Sequence, residues 1–198
     1  MDRREQISQA AFASIAERGF EGLRMRDVAQ RAGVNIATVH YYYASKEQLI
    51  RAAYGELQAR FRATTPPDGT AAERLRGHLR GVRDLLLDDS DLRGVLAEIA
   101  LRARRDEELE AAVRQAEDGW FAEVRGLLQA GLDDGSWAVA VDPDATAALV
   151  LSLCKGAGLP VLGTSRPDAL RAGFDQVLSW LTGAVVGLHD PASGRASS

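Results

Sequence analysis

The sequence predicts an all-α fold, and two features of the chain lead to that prediction. After residue 70, apolar residues recur with the 3.6-residue period of a helix, and no strand-like alternation continues for any length. Residues that begin helices also stand where they are expected, at Asn35, at Ser45 and at Asp142, which Pro143 follows. The hydrophobic share of 46% and the charged share of 26% are ordinary for a globular protein of 198 residues, which has room for one or two domains.

Four helices are predicted in the N-terminal third. Gly19 ends the first, Asn35 is the expected N-cap of the third, and a capping box of Ser45 and Gln48 begins the fourth. The predicted helices lie at about 3–18, 25–32, 36–42 and 46–63. These short elements, joined by tight connections, predict a small helical domain over residues 1–62.

A break follows at residues 64–70, TTPPDGT, where two prolines and a glycine predict a linker over 63–70. The later helices are predicted at about 71–88, 91–104, 106–134, 143–158 and 167–188. The last of them has one apolar stripe, formed by Leu170, Phe174, Val177, Leu178, Leu181, Val185 and Leu188. We therefore expect a larger second domain over 71–188 and a disordered tail over 189–198.

Residues 24–43 carry the spacing of a helix-turn-helix. Ala29 is small enough for two helices to cross closely, and Gly33 falls where the first helix must end in a left-handed turn. Val39 then points back from the second helix to fill the angle between the two. Such a pair can place its second helix in the major groove of DNA.

The charges are distributed unevenly between the two predicted parts. Residues 1–62 contain ten Lys and Arg against seven Asp and Glu, whereas residues 63–198 contain fourteen against twenty-one. The net charge of the whole chain is −4. The N-terminal part can therefore approach phosphates, while the rest of the chain is repelled by them.

The helix predicted at 36–42 has two faces. Val39 and Tyr43 share the core face, and Tyr42 is expected to face either the core or DNA. The outward residues are Ile36, Ala37, Thr38, His40 and Tyr41. No acidic residue lies between Arg31 and Lys46, which suits a groove lined by phosphates. Thr38, His40 and Tyr41 can donate to base edges or phosphates, although a lone histidine or lysine on a helix is commonly only solvated.

The run GFEGLRMRDVAQRAGVNIATVHYYYASKEQLI resembles the DNA-binding domain of the TetR family of bacterial transcriptional regulators, over about residues 3–61. The resemblance implies an all-helical homodimer that binds double-stranded operator DNA, with a variable ligand-binding C-terminal domain that dimerises through its last two helices. The implied DNA-contacting residues are Arg26, Ile36, Ala37, Thr38, His40, Tyr41, Tyr42 and Lys46. Two departures stand out: Arg24 replaces the usual Thr or Ser cap, and Ile36 can make only an apolar contact, for example to a thymine methyl group.

Trp120 and Phe121 are the candidates for lining an effector pocket, which between bundle helices is mainly apolar. Aromatic side chains at such places more often belong to an ordinary core, and the sequence names no effector. Of the three histidines, only His78 lies inside the second domain, and no nucleophile elbow or Gly-rich phosphate loop occurs. We expect no enzyme activity, cofactor or metal. The single cysteine, Cys154, excludes an internal disulfide, and neither a signal peptide nor a membrane span is expected, which favours the cytoplasm.

The expected function is that of a sequence-specific, ligand-responsive repressor that binds a near-palindromic operator as a homodimer. One alternative is a transcriptional activator of the same family. A second is a small-molecule sensor in which the helix-turn-helix is only a scaffold, and a third is a helical enzyme fused to a DNA-binding module. Nonspecific DNA affinity without a preferred operator would favour the scaffold, and a metal or cofactor found on purification would favour the enzyme.

Overall fold

The computed structural model describes residues 2–137, 141–158 and 166–182, and these residues fold into helices with no strand among them. The helices are α1 (Arg3–Gly22), α2 (Met25–Arg31), α3 (Ile36–Tyr42), α4 (Lys46–Arg62), α5 (Ala71–Asp88), α6 (Ser90–Ala103), α7 (Glu107–Asp133), α8 (Pro143–Ala157) and α9 (Pro167–Thr182). The predicted all-α fold is confirmed. No helix within the described ranges has the length and apolar character needed to cross a membrane.

The bounds agree with the predicted ones to within one or two residues, apart from α1 and the end of α9. Helix α1 continues to Gly22 instead of ending at Gly19, but Gly19 has φ 66° and ψ 178° and kinks the helix there. A left-handed φ is accessible to glycine at little cost, so Gly19 interrupts the helical hydrogen bonds without ending the helix. The predicted continuation of the last helix to residue 188 and the tail at 189–198 lie outside the described residues.

Helices α1 to α4 form the N-terminal unit, in which α1 packs along α4 and α2 crosses α3. Its core contains buried aromatic and aliphatic side chains from all four helices, including Phe12, Ile15, Val28, Val39, Leu49 and Leu57. Helix α6 packs against α1, so the first unit is covered on that side by the rest of the chain.

In the C-terminal part, α5 lies at the centre and contacts α6, α7, α8 and α9. This helix has buried residues along its whole length, from Ala71 to Leu87. A capping box that the sequence analysis missed begins it: the Thr70 side chain accepts from the Glu73 N–H, and the Glu73 carboxylate accepts from the Thr70 N–H. The end of the predicted linker is therefore tightly bound to the helix that follows.

The described part of the apolar stripe of α9 packs into the chain's own core. Phe174, Leu178 and Leu181 are buried by other helices of the same chain, whereas Trp180 is 60% exposed. Phe174, Leu178 and Leu181 therefore belong to this chain's own core, and Leu170 and Val177 beside them are half-buried. Three of the five stripe residues that the structure describes are buried in this core, and the exposed Trp180 lies on a different face of α9.

Candidate nucleic-acid interface

The turn between α2 and α3 is built around Gly33. This residue has φ 63°, and its N–H donates to the carbonyl of Gln30 while the N–H of Val34 donates to the carbonyl of Ala29, at 3.1 and 3.0 Å. This pair of bonds is a Schellman motif. Among the described residues, nothing lies within 4 Å of the position that a Gly33 Cβ would take. Glycine is thus required here for its conformation and not for space.

Asn35 caps α3, as predicted. Its Oδ1 accepts from the Thr38 N–H at 2.7 Å and also from the Thr38 hydroxyl at 2.9 Å. The hydroxyl proton of Thr38 is therefore used inside the helix start, which leaves its oxygen only as an acceptor toward DNA. The prediction that Thr38 donates to a base does not agree with this geometry.

The two faces of α3 match the helical-wheel assignment. Val39 is fully buried and Tyr43 is 5% exposed, so both belong to the core, and Tyr42 is half-buried. Ala37 and His40 are exposed, Ile36 is 45% exposed and Tyr41 is 83% exposed. The rings of Tyr41 and Tyr42 meet edge to face at 5.1 Å, which restricts the exposed ring.

Tyr43 joins α3 to the start of α1. Its hydroxyl donates to the Arg4 carbonyl at 3.2 Å, and the Arg4 guanidinium lies 5.7 Å from the centre of its ring. Together these contacts hold the C-terminal end of α3 to the N-terminal end of α1. A buried tyrosine with its hydroxyl satisfied is a structural residue, and this agrees with the core role predicted for Tyr43.

The positive residues near α3 are not equally available to phosphates. Arg24 folds back and donates to the carbonyls of Glu21 and Leu23, and it makes no side-chain cap for α2. Arg18 pairs with Asp27 and Arg31 pairs with Glu17, each at 2.5 Å, so these two arginines connect α1 to α2. Within the described ranges Arg26 has no such ion pair and is exposed.

Lys46 is the first residue of α4 and is half-buried. The capping box predicted there is shifted by one residue. Ser45 accepts from the Gln48 N–H at 3.3 Å, but the Gln48 side chain accepts from the N–H of Ala44 rather than from that of Ser45. The shift still satisfies two backbone donors, so the start of α4 is well defined and holds Lys46 beside the end of α3.

The candidates Trp120 and Phe121 are both half-buried on α7, far along the chain from α3. Trp120 Nε1 donates to Nε2 of His78 at 2.7 Å, and its ring lies 6.1 Å from that of Phe61. On the other side of the imidazole, Nδ1 is 2.7 Å from the Thr64 hydroxyl and 2.9 Å from the Thr65 hydroxyl. This cluster joins α7 and α5 to the segment that leaves α4.

His78 was not recognised from the sequence as an important residue. It is 1% exposed, and burial lowers the pKa of its imidazole, while the Glu123 carboxylate acts in the opposite direction. The sequence feature that could have pointed to this cluster is the pair of glycines at positions 77 and 81 on α5, since glycines allow another segment to pack closely on a helix. A Cβ at Gly77 would lie 2.5 Å from Pro66, and one at Gly81 would lie 2.7 Å from Thr64 Cβ. The segment after α4 therefore lies flat on α5 at its two glycines.

Two open clefts of about 760 Å³ each lie elsewhere. The first is between the start of α1 and α4, and the second is between the end of α4 and the α5–α6 connection. Four residues that line the second are acidic, namely Asp84, Asp88, Asp89 and Asp91, and Arg60 is basic. Neither cleft is lined by Trp120 or Phe121.

Comparison with known proteins agrees with this geometry. The family model described as "Bacterial regulatory proteins, tetR family" matches residues 7–53. The model described as "BetI-type transcriptional repressor, C-terminal" matches residues 71–185. The nicotine-responsive transcriptional repressor HdnoR of Paenarthrobacter nicotinovorans is 28% identical over 155 residues, which are 76% of this chain and 80% of that protein. The fatty acid metabolism regulator protein of Bacillus subtilis is 27% identical over 66% of this chain and 68% of its own length.

Among solved structures, a putative TetR-family regulator from Rhodococcus sp. superposes with a TM-score of 0.70 at 26% identity, over 89% of this chain and 98% of its own. These matches cover both the helix-turn-helix and the helices that follow the linker. The chain therefore belongs to the TetR family of bacterial regulatory proteins, and it is a DNA-binding transcriptional repressor.

Proposed function

We propose that this repressor binds a near-palindromic operator as a homodimer, with one α3 helix from each subunit in a major groove. The observation that carries this proposal is the exposed face of α3, which has no acidic residue and lies opposite the buried Val39 and Tyr43. A helix anchored on one side and uncharged on the other can enter a groove between phosphates.

Within that interface we assign different roles to the candidate residues. Arg26 and Lys46 lie on the helices before and after α3, and their charges suit the phosphate backbone. His40 and Tyr41 are exposed on α3 and have polar groups that can reach base edges. Ala37 is small enough for a close approach. Thr38 acts as an acceptor, and Tyr42 supports the ring of Tyr41.

Helices α8 and α9 are the proposed dimer interface. Leu149 on α8 is 54% exposed and Trp180 on α9 is 60% exposed, and both are large apolar side chains. Half of the other exposed residues in the described part of these helices are small, namely Ala145, Ala148, Ser152, Ala169 and Ala172. Small side chains let two helices approach closely, while the large ones supply apolar area, as an isologous contact between subunits requires.

Replacing Trp180 by Glu tests this interface. We expect the dimer dissociation constant to rise at least tenfold, since a charge takes the place of a large apolar anchor, and sedimentation velocity over a concentration series measures it. Leu101→Glu is the matched control, because Leu101 is also exposed, at 64%, but lies on α6. A Trp180→Glu protein that keeps wild-type dimer affinity contradicts the proposal.

The operator itself is found by sequencing DNA fragments that the purified protein retains from a random pool. We expect two half-sites related by a two-fold axis and separated by about one helical turn. Retention of DNA without any shared sequence contradicts the proposed sequence-specific function.

The effector is proposed to bind near Trp120 and Phe121, next to the cluster around His78. HdnoR is described as nicotine-responsive, and an aromatic, nitrogen-containing compound would suit the neighbouring rings of Phe61 and Trp120. Nicotine and stearoyl-CoA, the latter bound in a solved structure of FadR from Bacillus subtilis, are suitable first probes, and tryptophan fluorescence follows their binding. Because coupling is reciprocal, a true effector must bind more weakly when operator is present. Equal affinity with and without operator excludes the probe as an effector.

A further inference from the structure

We propose that the 5-methyl group of a pyrimidine in each half-site is read by an apolar contact with Ile36. The inference rests on the proposed binding of an operator by α3 and names the chemical group that this helix selects. Thymine carries the methyl group in ordinary DNA, and 5-methylcytosine carries the same group at the same ring position.

Ile36 is the first residue of α3 and is 45% exposed. Although Ile36 lies on the same side of α3 as Val39, it is neither buried in the core of the N-terminal unit nor among the partly buried apolar residues that pack against that core. Covering the exposed part of this branched aliphatic side chain with an apolar group on binding is favourable.

The two residues that follow Ile36 have no side-chain donor that could replace its contact with a hydrogen bond. Ala37 has no polar side-chain atom, and the hydroxyl proton of Thr38 is given to Asn35 Oδ1. The same oxygen also accepts from the Thr38 N–H. Residues 36–38 therefore offer no side-chain donor to the bases, so this part of the helix is suited to apolar contact.

Only one feature of the base edges in the major groove is apolar, namely the methyl group at C5 of thymine. Contact with a hydrogen-bonding edge would leave a polar base atom without water or a partner next to Ile36, which is costly. The exposed donors of the interface, His40 and Tyr41, lie one turn later on α3. Hence methyl contact and hydrogen-bond readout are expected at neighbouring base pairs.

The test uses the operator selected by the full-length protein, with each thymine replaced in turn by deoxyuridine, which lacks only the methyl group. At one thymine position, we expect wild-type affinity to fall about fourfold when the replacement is made in a single half-site. It should fall about fifteenfold when the same position is replaced in both half-sites. The Ile36→Ala protein should bind the thymine and deoxyuridine operators equally. Leu101→Ala is the control and should keep the full wild-type difference.

A second arm distinguishes the two sources of the methyl group. Cytosines of the same operator are replaced one at a time by 5-methylcytosine. If one replacement increases the affinity of the wild type but not that of Ile36→Ala, methylcytosine is the group that is read. A loss of affinity when deoxyuridine replaces thymine identifies thymine as the base whose methyl group is read.

Three results overturn the inference. One is a wild-type protein that tolerates deoxyuridine at every position and gains nothing from methylcytosine. Another is a methyl effect that survives in Ile36→Ala but disappears in Tyr41→Ala. Both leave the selected operator, and with it the proposed function, intact. Failure to select any operator instead overturns the proposed function together with this inference.

Discussion

The backbone N–H of Phe20 donates to the Glu98 carboxylate at 2.8 Å, across the contact between α1 and α6. This donor is available because Gly19 kinks α1 with φ 66°, and a Cβ at Gly19 would lie 3.1 Å from both carboxylate oxygens. The other end of α1 is held to α3 through Arg4 and Tyr43. Helix α1 thus connects α6 to the helix that faces DNA.

Replacing Glu98 by Ala should lower the free energy of unfolding by about 1 to 2 kcal/mol, because the Phe20 N–H loses a charged acceptor. It should also weaken operator binding, since the position of α1 helps to hold α3. Glu98→Gln is the control, as its amide oxygen can still accept the bond. Urea unfolding and operator titration measure both effects. Equal behaviour of the Ala and Gln variants would show that this bond does not matter.

Stability should depend on pH through His78. Trp120 Nε1 can only donate, so Nε2 of His78 must be unprotonated to accept it. Burial lowers the pKa of this imidazole below 6.5, so the unfolded chain binds more protons than the folded one in that range. Stability therefore rises with pH there, and the free energy of unfolding should fall as the pH is lowered from about 7 to about 5.

His78→Gln removes this titration but keeps an acceptor for Trp120, so the dependence on pH should become shallower. Leu101→Ala, an exposed change on α6 that removes no titratable group, should leave the dependence as in the wild type. Urea unfolding of both variants, at a constant protein concentration across the pH range, measures how the free energy of unfolding depends on pH. An unchanged slope in His78→Gln would assign the pH dependence to other groups.

Gly81→Ala should destabilise the protein by about 1 to 3 kcal/mol, which is the usual cost of overpacking. The new Cβ would lie 2.7 Å from Thr64 Cβ and 3.3 Å from its Cα, so the backbone after α4 must move. Gly126→Ala is the matched control. It has no neighbour within 4 Å among the described residues and lies inside α7, where alanine should stabilise by about 0.5 to 1 kcal/mol. Thermal unfolding of both variants gives the comparison.

Lys46→Ala should weaken binding to all DNA sequences alike, because we assign Lys46 to a phosphate. For a dimer, the slope of log affinity against log salt should decrease by about two, at roughly 0.9 for each contact. Lys155 is the other lysine of the chain and pairs with Glu117, so Lys155→Ala is the control. A changed sequence preference with an unchanged salt slope would instead place Lys46 on a base.

The sequence by itself determined the helices and the orientation of α3, because these depend on local chemistry. Three local features specify these elements: the period of the apolar residues, the Asn35 cap and the conformational freedom of Gly33. Each acts over only a few residues, so each can be recognised in the sequence itself. The same reading separated the buried Val39 and Tyr43 from the exposed Ala37 and Tyr41.

Tertiary structure decided what depends on residues distant in the chain. The partner of Phe20 is 78 residues away on α6, and the partner of His78 is 42 residues away on α7. Sequence periodicity could group Phe174, Leu178 and Leu181 on one face, but not say whether this chain or a second copy covers them. Burial and hydrogen-bond pairing belong to surfaces that meet only when the helices pack, and no local pattern specifies which surfaces those are.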